Sequence, residues 1–330
     1  MEDILKDFAR WVKSKGLQSK VPTDIDTLAN LSMLDLSKCK LRELPPSIGF
    51  LPNLMVLKLS NNRLTELPKS IGNLKKLKNL QCENNLLTAL PNSIGGLESL
   101  MILNLNGNRL KKLPLEFCKL TTLTRLTMAA NMIEELPLEL KKLKKLLYFS
   151  LDTNNLDSLP EIFGDMRSLY YLDLSYNNFT TLPSSIGQIE ELETLLLEGN
   201  EINDLPSLEA HDMLIKLNLN DNNISKINFN IEALEDLQIL TLDNNELEYL
   251  PNNICKLKKL NHLSVSANQL KELPKCIGEL ENLLELDIEE NHVKEYPDSF
   301  SKLTKLKNLY INDNSLECPD LPNLEFCDLA

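Results

Sequence analysis

The sequence predicts an α/β solenoid: a horseshoe with a parallel concave sheet of about 13 strands, short helical or irregular convex segments, an N-terminal helical cap and a short C-terminal cap. Three observations carry this expectation. The skeleton LxxLxLxxNxL starts at Leu31 and recurs in thirteen copies, spaced 23 residues apart except for one step of 22 between Leu192 and Leu214. A second pattern follows it, seen as ELPKSIGNLKKL at residues 66–77. Both ends depart from the unit, as a stack of repeats requires, because a terminal repeat would otherwise expose its apolar face. The expected organisation is a cap over residues 1–22, a solenoid over residues 23–316 and a closing cap over residues 317–330.

Each element has a physical reason. At the front, Ile4, Leu5, Phe8, Trp11 and Val12 recur at helical spacing and predict an amphipathic helix lying over the first repeat, with Trp11 a cap residue. In each repeat the alternation LxL turns two leucines inward from a short strand and the residue between them outward. The asparagine that follows stands where the chain turns away, and its amide can satisfy backbone groups that would otherwise be buried unpaired. Twelve copies carry it, and the first has Cys39 instead, read as a structural ladder residue. The Leu-Pro step, as at Leu67-Pro68, fixes an extended turn, and Ile71, Leu74 and Leu77 fit a short helical turn behind the leucines. At the back, Leu324, Phe326 and Leu329 predict a small closing cap in which Cys318 and Cys327 could meet.

The unit LxxLPxxIGxLxxLxxLxLxxNxL resembles the 23-residue class of intracellular leucine-rich-repeat proteins. That class includes Ras-pathway scaffolds, the Ras suppressor protein, the repeat domains of Scribble and Erbin, plant intracellular Ras-group proteins and bacterial proteins. The likeness spans roughly residues 23–320. It implies a curved scaffold that binds other proteins through its concave face.

With 42% hydrophobic and 25% charged residues the chain is of the soluble, folded kind, and no run of apolar residues is long enough to span a membrane. The acids of MEDILKDFARWV do not suit a secretory signal, so the sequence points to a cytoplasmic protein, with secretion as an effector left open. Seven scattered cysteines suggest neither a disulfide framework nor a zinc site. The net charge of −13 is unevenly spread: residues 1–150 balance at +9 and residues 151–330 at −22.

Functional residues must lie in the columns that the skeleton leaves free. The third, fifth, seventh and eighth positions of LxxLxLxxN face the concave surface. Tyr148, Tyr171 and Tyr176 cluster there and read either as a binding hot spot or as strand residues packing sideways. Arg125, Asp152, Asp173, Glu198, Asp243, His262, Asp287 and Tyr310 complete the expected partner-binding face. Its acids suit a protein partner with a basic surface, or serve only to solubilise it; nucleic acid is not expected there. Asp287, Glu289, Glu290 and Asp313 are a weak calcium candidate. No phosphate-binding loop or nucleophile elbow occurs, and His211, His262 and His292 stand in different columns, so a non-catalytic, cofactor-free monomer is expected. Two further functions stay open: a bacterial effector or surface protein binding a host protein, and a regulatory subunit of a phosphatase or small GTPase pathway. Lys226-Ile227-Asn228-Phe229 loosely fits a phosphatase-docking peptide, with Ile227 expected in the core.

Overall fold

The computed structural model describes residues 2–328, and the chain divides into two compact units, Met1–Leu156 and Asp157–Ala330. The first begins with helix α1 (Glu2–Ser14), whose acids Glu2 and Asp3 and terminal Lys13 complement the helix dipole. It buries Leu5, Phe8, Ala9 and Val12 against helix α2 (Ile25–Ala29) and the 3-10 turn Pro46–Phe50. Asp24 caps α2 by accepting the Thr27 N–H at 2.8 Å. Trp11, half-buried, stacks on Phe8 with ring centroids 5.7 Å apart, in keeping with a role in packing.

Six parallel strands follow: β1 (Met33–Asp35), β2 (Val56–Lys58), β3 (Asn79–Gln81), β4 (Ile102–Asn104), β5 (Arg125–Thr127) and β6 (Tyr148–Ser150). Their register sets Leu34 beside Leu57, then Leu80, Leu103, Leu126 and Phe149, all in the core. The second unit has eight: β7 (Tyr171–Asp173), β8 (Thr194–Leu196), β9 (Lys216–Asn218), β10 (Ile239–Thr241), β11 (His262–Ser264), β12 (Glu285–Asp287), β13 (Asn308–Tyr310) and β14 (Phe326–Asp328). The last lies within the segment expected to close the chain and adds one strand to the expected count of about 13. Residues 326–328 add a parallel strand, setting Cys327 beside Leu309; Leu329 lies outside the described residues.

Behind the strands run 3-10 turns such as Lys69–Asn73, opened by Pro68 and closed by the Leu74 N–H on the Ile71 carbonyl at 3.1 Å. Only five residues separate Pro68 from Leu74, too few for a stable α-helix. Both units are therefore α/β solenoids of parallel strands, as the pattern predicts. The shortened repeat differs. Between β8 and β9 the described residues form no 3-10 turn, and a fully buried His211 takes the place that Leu74 fills in its own repeat.

The asparagine ladder forms as expected. Buried Asn108 donates to the carbonyls of Cys82 at 3.1 Å, Leu105 at 2.9 Å and Asn106 at 3.3 Å, and accepts the Leu87 N–H at 3.0 Å. Two disulfides close: Cys255–Cys276, which the sequence did not anticipate, and Cys318–Cys327, a pairing that it left open. The sequence signal for the first lies in the period: a separation of 21 residues puts the two in adjacent repeats, two positions off the same column. Cys39, Cys82 and Cys118 remain thiols, and burial pushes up the last two, Cys118 to about 11. A thiol reagent in denaturant is thus expected to count three groups before reduction and seven after, from the assigned bridges. Reduction should lower stability by about 2–4 kcal/mol per bridge; seven thiols without reductant would contradict the assignment.

Candidate functional site

The residue before each ladder asparagine holds a left-handed backbone, with φ of 58° at Asn61, 52° at Tyr176 and 67° at Gly199. Because the conformation recurs from repeat to repeat, it belongs to the turn off the strand and marks no single site. It does aim side chains at position eight across the neighbouring repeat. At Tyr176 the neighbour is Gly199, where an added Cβ would lie 2.5 Å from the tyrosine ring. The missing side chain lets the ring lie flat over the next turn, and its hydroxyl donates to Glu198.

That contact starts a polar row on the strand face of the second unit. Glu198 also accepts from Asn218 at 2.8 Å, and Asn218 accepts from the Thr241 hydroxyl at 2.9 Å. Asp243 accepts the Ser264 hydroxyl and, at 2.9 Å, the Ser266 N–H. The hydrogen bond to Glu198, ahead of desolvation, pushes the Tyr176 phenol up to about 12, although the residue is 51% exposed. Tyr171 donates to Asp173 at 3.3 Å. Further along, His262 Nδ1 lies 3.5 Å from Glu285, and Tyr310 packs on the exposed Phe326 at 5.4 Å between centroids.

The carboxylates here repel one another. Burial, then the charges of Asp243 and Glu285, raise the Asp287 carboxyl above its ordinary value. Burial, the hydrogen bond with Asp328 and the charges of Asp287 and Asp328 raise that of Glu289. Among the described residues no group of three or more His, Cys, Asp or Glu is arranged to hold a metal ion, including the calcium candidate. In the first unit, the Arg125 guanidinium stands 3.7 Å over the centre of the Tyr148 ring, and the Ser150 hydroxyl donates to Asp152 at 2.6 Å.

The expected site residues thus divide. Arg125, Tyr148 and Asp152 lie in the first unit, while Tyr171, Asp173, Tyr176, Glu198, Asp243, His262, Asp287 and Tyr310 lie in the second. Sequence columns missed Phe326, because β14 stands outside the repeat, and Gly199, whose effect is to make room. The phosphatase-docking reading is corrected: in Lys226-Ile227-Asn228-Phe229 it is Phe229 that is buried and Ile227 that is half-exposed, so the aromatic anchor such a peptide needs is locked in the core.

A leucine-rich-repeat region model matches residues 10–86, and leucine-rich-repeat models match residues 99–120 and 144–202. A leucine-rich-repeat protein of Leptospira interrogans is 32% identical, with 90% of this chain and 88% of that one covered and a TM-score of 0.75. The chain belongs to the leucine-rich-repeat family. An internalin of Listeria monocytogenes shares the leucine-rich-repeat fold at 23% identity, with 95% of each chain covered and a TM-score of 0.69. A plant peptide hormone receptor, RGFR1 in complex with RGF2, is 27% identical over 89% of this chain and 61% of its own, with a TM-score of 0.57. No curated protein matches the chain. No helix among the described residues is long and apolar enough to cross a membrane.

Proposed function

We propose that this leucine-rich-repeat chain is a non-catalytic protein-binding scaffold whose second unit takes a basic protein partner on its strand face. The observation that carries this reading is the row of carboxylates on that face, Glu198, Asp243, Asp287 and Glu289, of which burial first, and neighbouring charges after it, raise the last two. Carboxylates held together without counter-cations cost free energy that a partner's lysines and arginines would recover. Residues 157–330 carry 33 Asp+Glu against 12 Lys+Arg, so the surrounding field steers such a partner inward. Tyr176, laid flat beside Glu198, supplies a rigid amphipathic surface of the kind that dominates interface energetics. Tyr171, Asp173, His262 and Tyr310 extend the same face, whereas Arg125, Tyr148 and Asp152 lie in the first unit and form no part of it. The plant hormone receptor named above is solved with a bound partner, which accords with the same use of the fold.

A second reading concerns setting. Two disulfides favour an oxidising compartment over the cytoplasm. That suits a secreted or surface scaffold, as the bacterial alternative requires.

The test is affinity capture from the native cell, comparing the wild-type chain with a triple variant, Tyr176→Ala, Glu198→Gln and Asp243→Asn. Capture of a basic protein is expected to fall by about tenfold or more, close to 1.4 kcal/mol per decade, and to weaken with added salt. Equal capture by both would refute the site.

A further inference from the structure

We propose that the edge of the first unit where its strands begin is a docking ridge for an acidic amphipathic α-helix of a partner protein. The residue just before each strand donates its N–H to the same position one repeat back: Met55 to Ser32 at 2.8 Å, Lys78 to Met55 at 2.8 Å, Met101 to Lys78, Thr124 to Met101 and Leu147 to Thr124, each at 2.9 Å. These bonds tie six side chains into one row. Met55, Met101 and Leu147 are exposed by 39%, 43% and 38%, and each is joined by the first residue of its strand, Val56, Ile102 or Tyr148. Every second rung is thus an apolar pair. The rungs between are Lys78 with Asn79 and Thr124 with Arg125.

This alternation belongs to the first unit. In the second, the same row begins Tyr170, Glu193, Ile215, Gln238, Asn261, Leu284 and keeps no period. Single exposed apolar residues are ordinary on protein surfaces, whereas a periodic file of them describes a complementary partner. Methionine, unbranched and polarisable, suits such a contact.

The spacing selects the partner's conformation. Parallel strands stand about 4.8 Å apart, so apolar pairs two rungs apart lie about 9.6 Å apart. An α-helix rising 1.5 Å per residue covers about 10.5 Å in seven residues, so one apolar residue per heptad meets each pair. An extended strand repeats a face about every 6.6 Å and falls out of step. Charge selects the rest. Neither row contains an acid. Lys78 has no ion-pair partner among the described residues, nor has Arg125, whose guanidinium rests on Tyr148. Residues 1–156 carry 23 Lys+Arg and 15 Asp+Glu. Glutamates midway between the helix's apolar residues would face Lys78 and Arg125.

The inference does not rest on the acidic face of the second unit, and its test separates the two. Full-length protein is titrated into a labelled helical peptide of about three heptads, with one leucine per heptad and glutamate between; a second peptide has lysine for glutamate. The glutamate peptide is expected to bind wild type, and Met101→Glu, at an exposed position, to weaken it by about tenfold or more. Lys78→Glu with Arg125→Glu should transfer the preference to the lysine peptide, which guards against a loss due only to misfolding. The triple variant of the acidic face should bind the glutamate peptide as wild type does. The proposal is overturned if neither peptide binds, if Met101→Glu leaves binding unchanged, or if the ridge is covered by a second copy, seen as a dimer that Met101→Glu disperses.

Discussion

Asn108→Ala lowers the unfolding free energy by about 2–4 kcal/mol, read by chemical denaturation, and is the largest single-residue effect expected here. The side chain is buried and fully engaged, donating to three carbonyls and accepting the Leu87 N–H. Alanine removes the amide that satisfies these four backbone groups. The Leu87 N–H is then buried without an acceptor, and orphaned backbone groups cost about 1–3 kcal/mol each. Because the amide bridges its own repeat and the one before, the loss falls on the interface between repeats, where solenoid cooperativity resides. A change under about 1 kcal/mol would mean that the ladder is incidental to stability.

Gly72→Ala is expected to destabilise by about 3 kcal/mol. On chain entropy alone alanine would stabilise by about 0.4–1 kcal/mol, so the sign is diagnostic. The reason is close approach: a Cβ on Gly72 would lie 2.0 Å from the Ser93 carbonyl oxygen and 2.9 Å from its carbon. Both atoms are backbone, so relief requires the next repeat's 3-10 turn, Asn92–Gly96, to move as a whole. A Cβ on Gly49 would lie the same 2.0 Å from the Ser70 carbonyl oxygen, which gives the glycine of the LPxxIG pattern its physical cause. Stabilisation of the alanine variant would contradict this packing.

These two residues also show what the sequence could and could not convey. The asparagine ladder was legible because its partners are backbone groups fixed by the period itself. The strands were legible for the same reason, since a buried leucine at every fourth and sixth position leaves only one register. Gly72 was visible as a pattern but not as a contact, because the distance that matters runs to the next repeat's backbone. The Cys255–Cys276 bridge was hidden by an offset of two columns, within reach of side chains but outside a column-by-column reading. The candidate face was legible in its charge and tyrosines, while the posture of Tyr176 depends on the absence of a side chain at Gly199. Phe229 took the core position expected for Ile227 because the irregular ninth and tenth copies shift which residue points inward.

The central claim is that the strand face of the second unit binds a basic protein. Its most direct test is the dissociation constant of the captured partner for wild type and for the Tyr176→Ala, Glu198→Gln, Asp243→Asn variant, at low and at raised salt. A weakening of about tenfold or more is expected in the variant and, in wild type, an affinity that falls with salt. A salt-independent affinity that is the same for both proteins would contradict it.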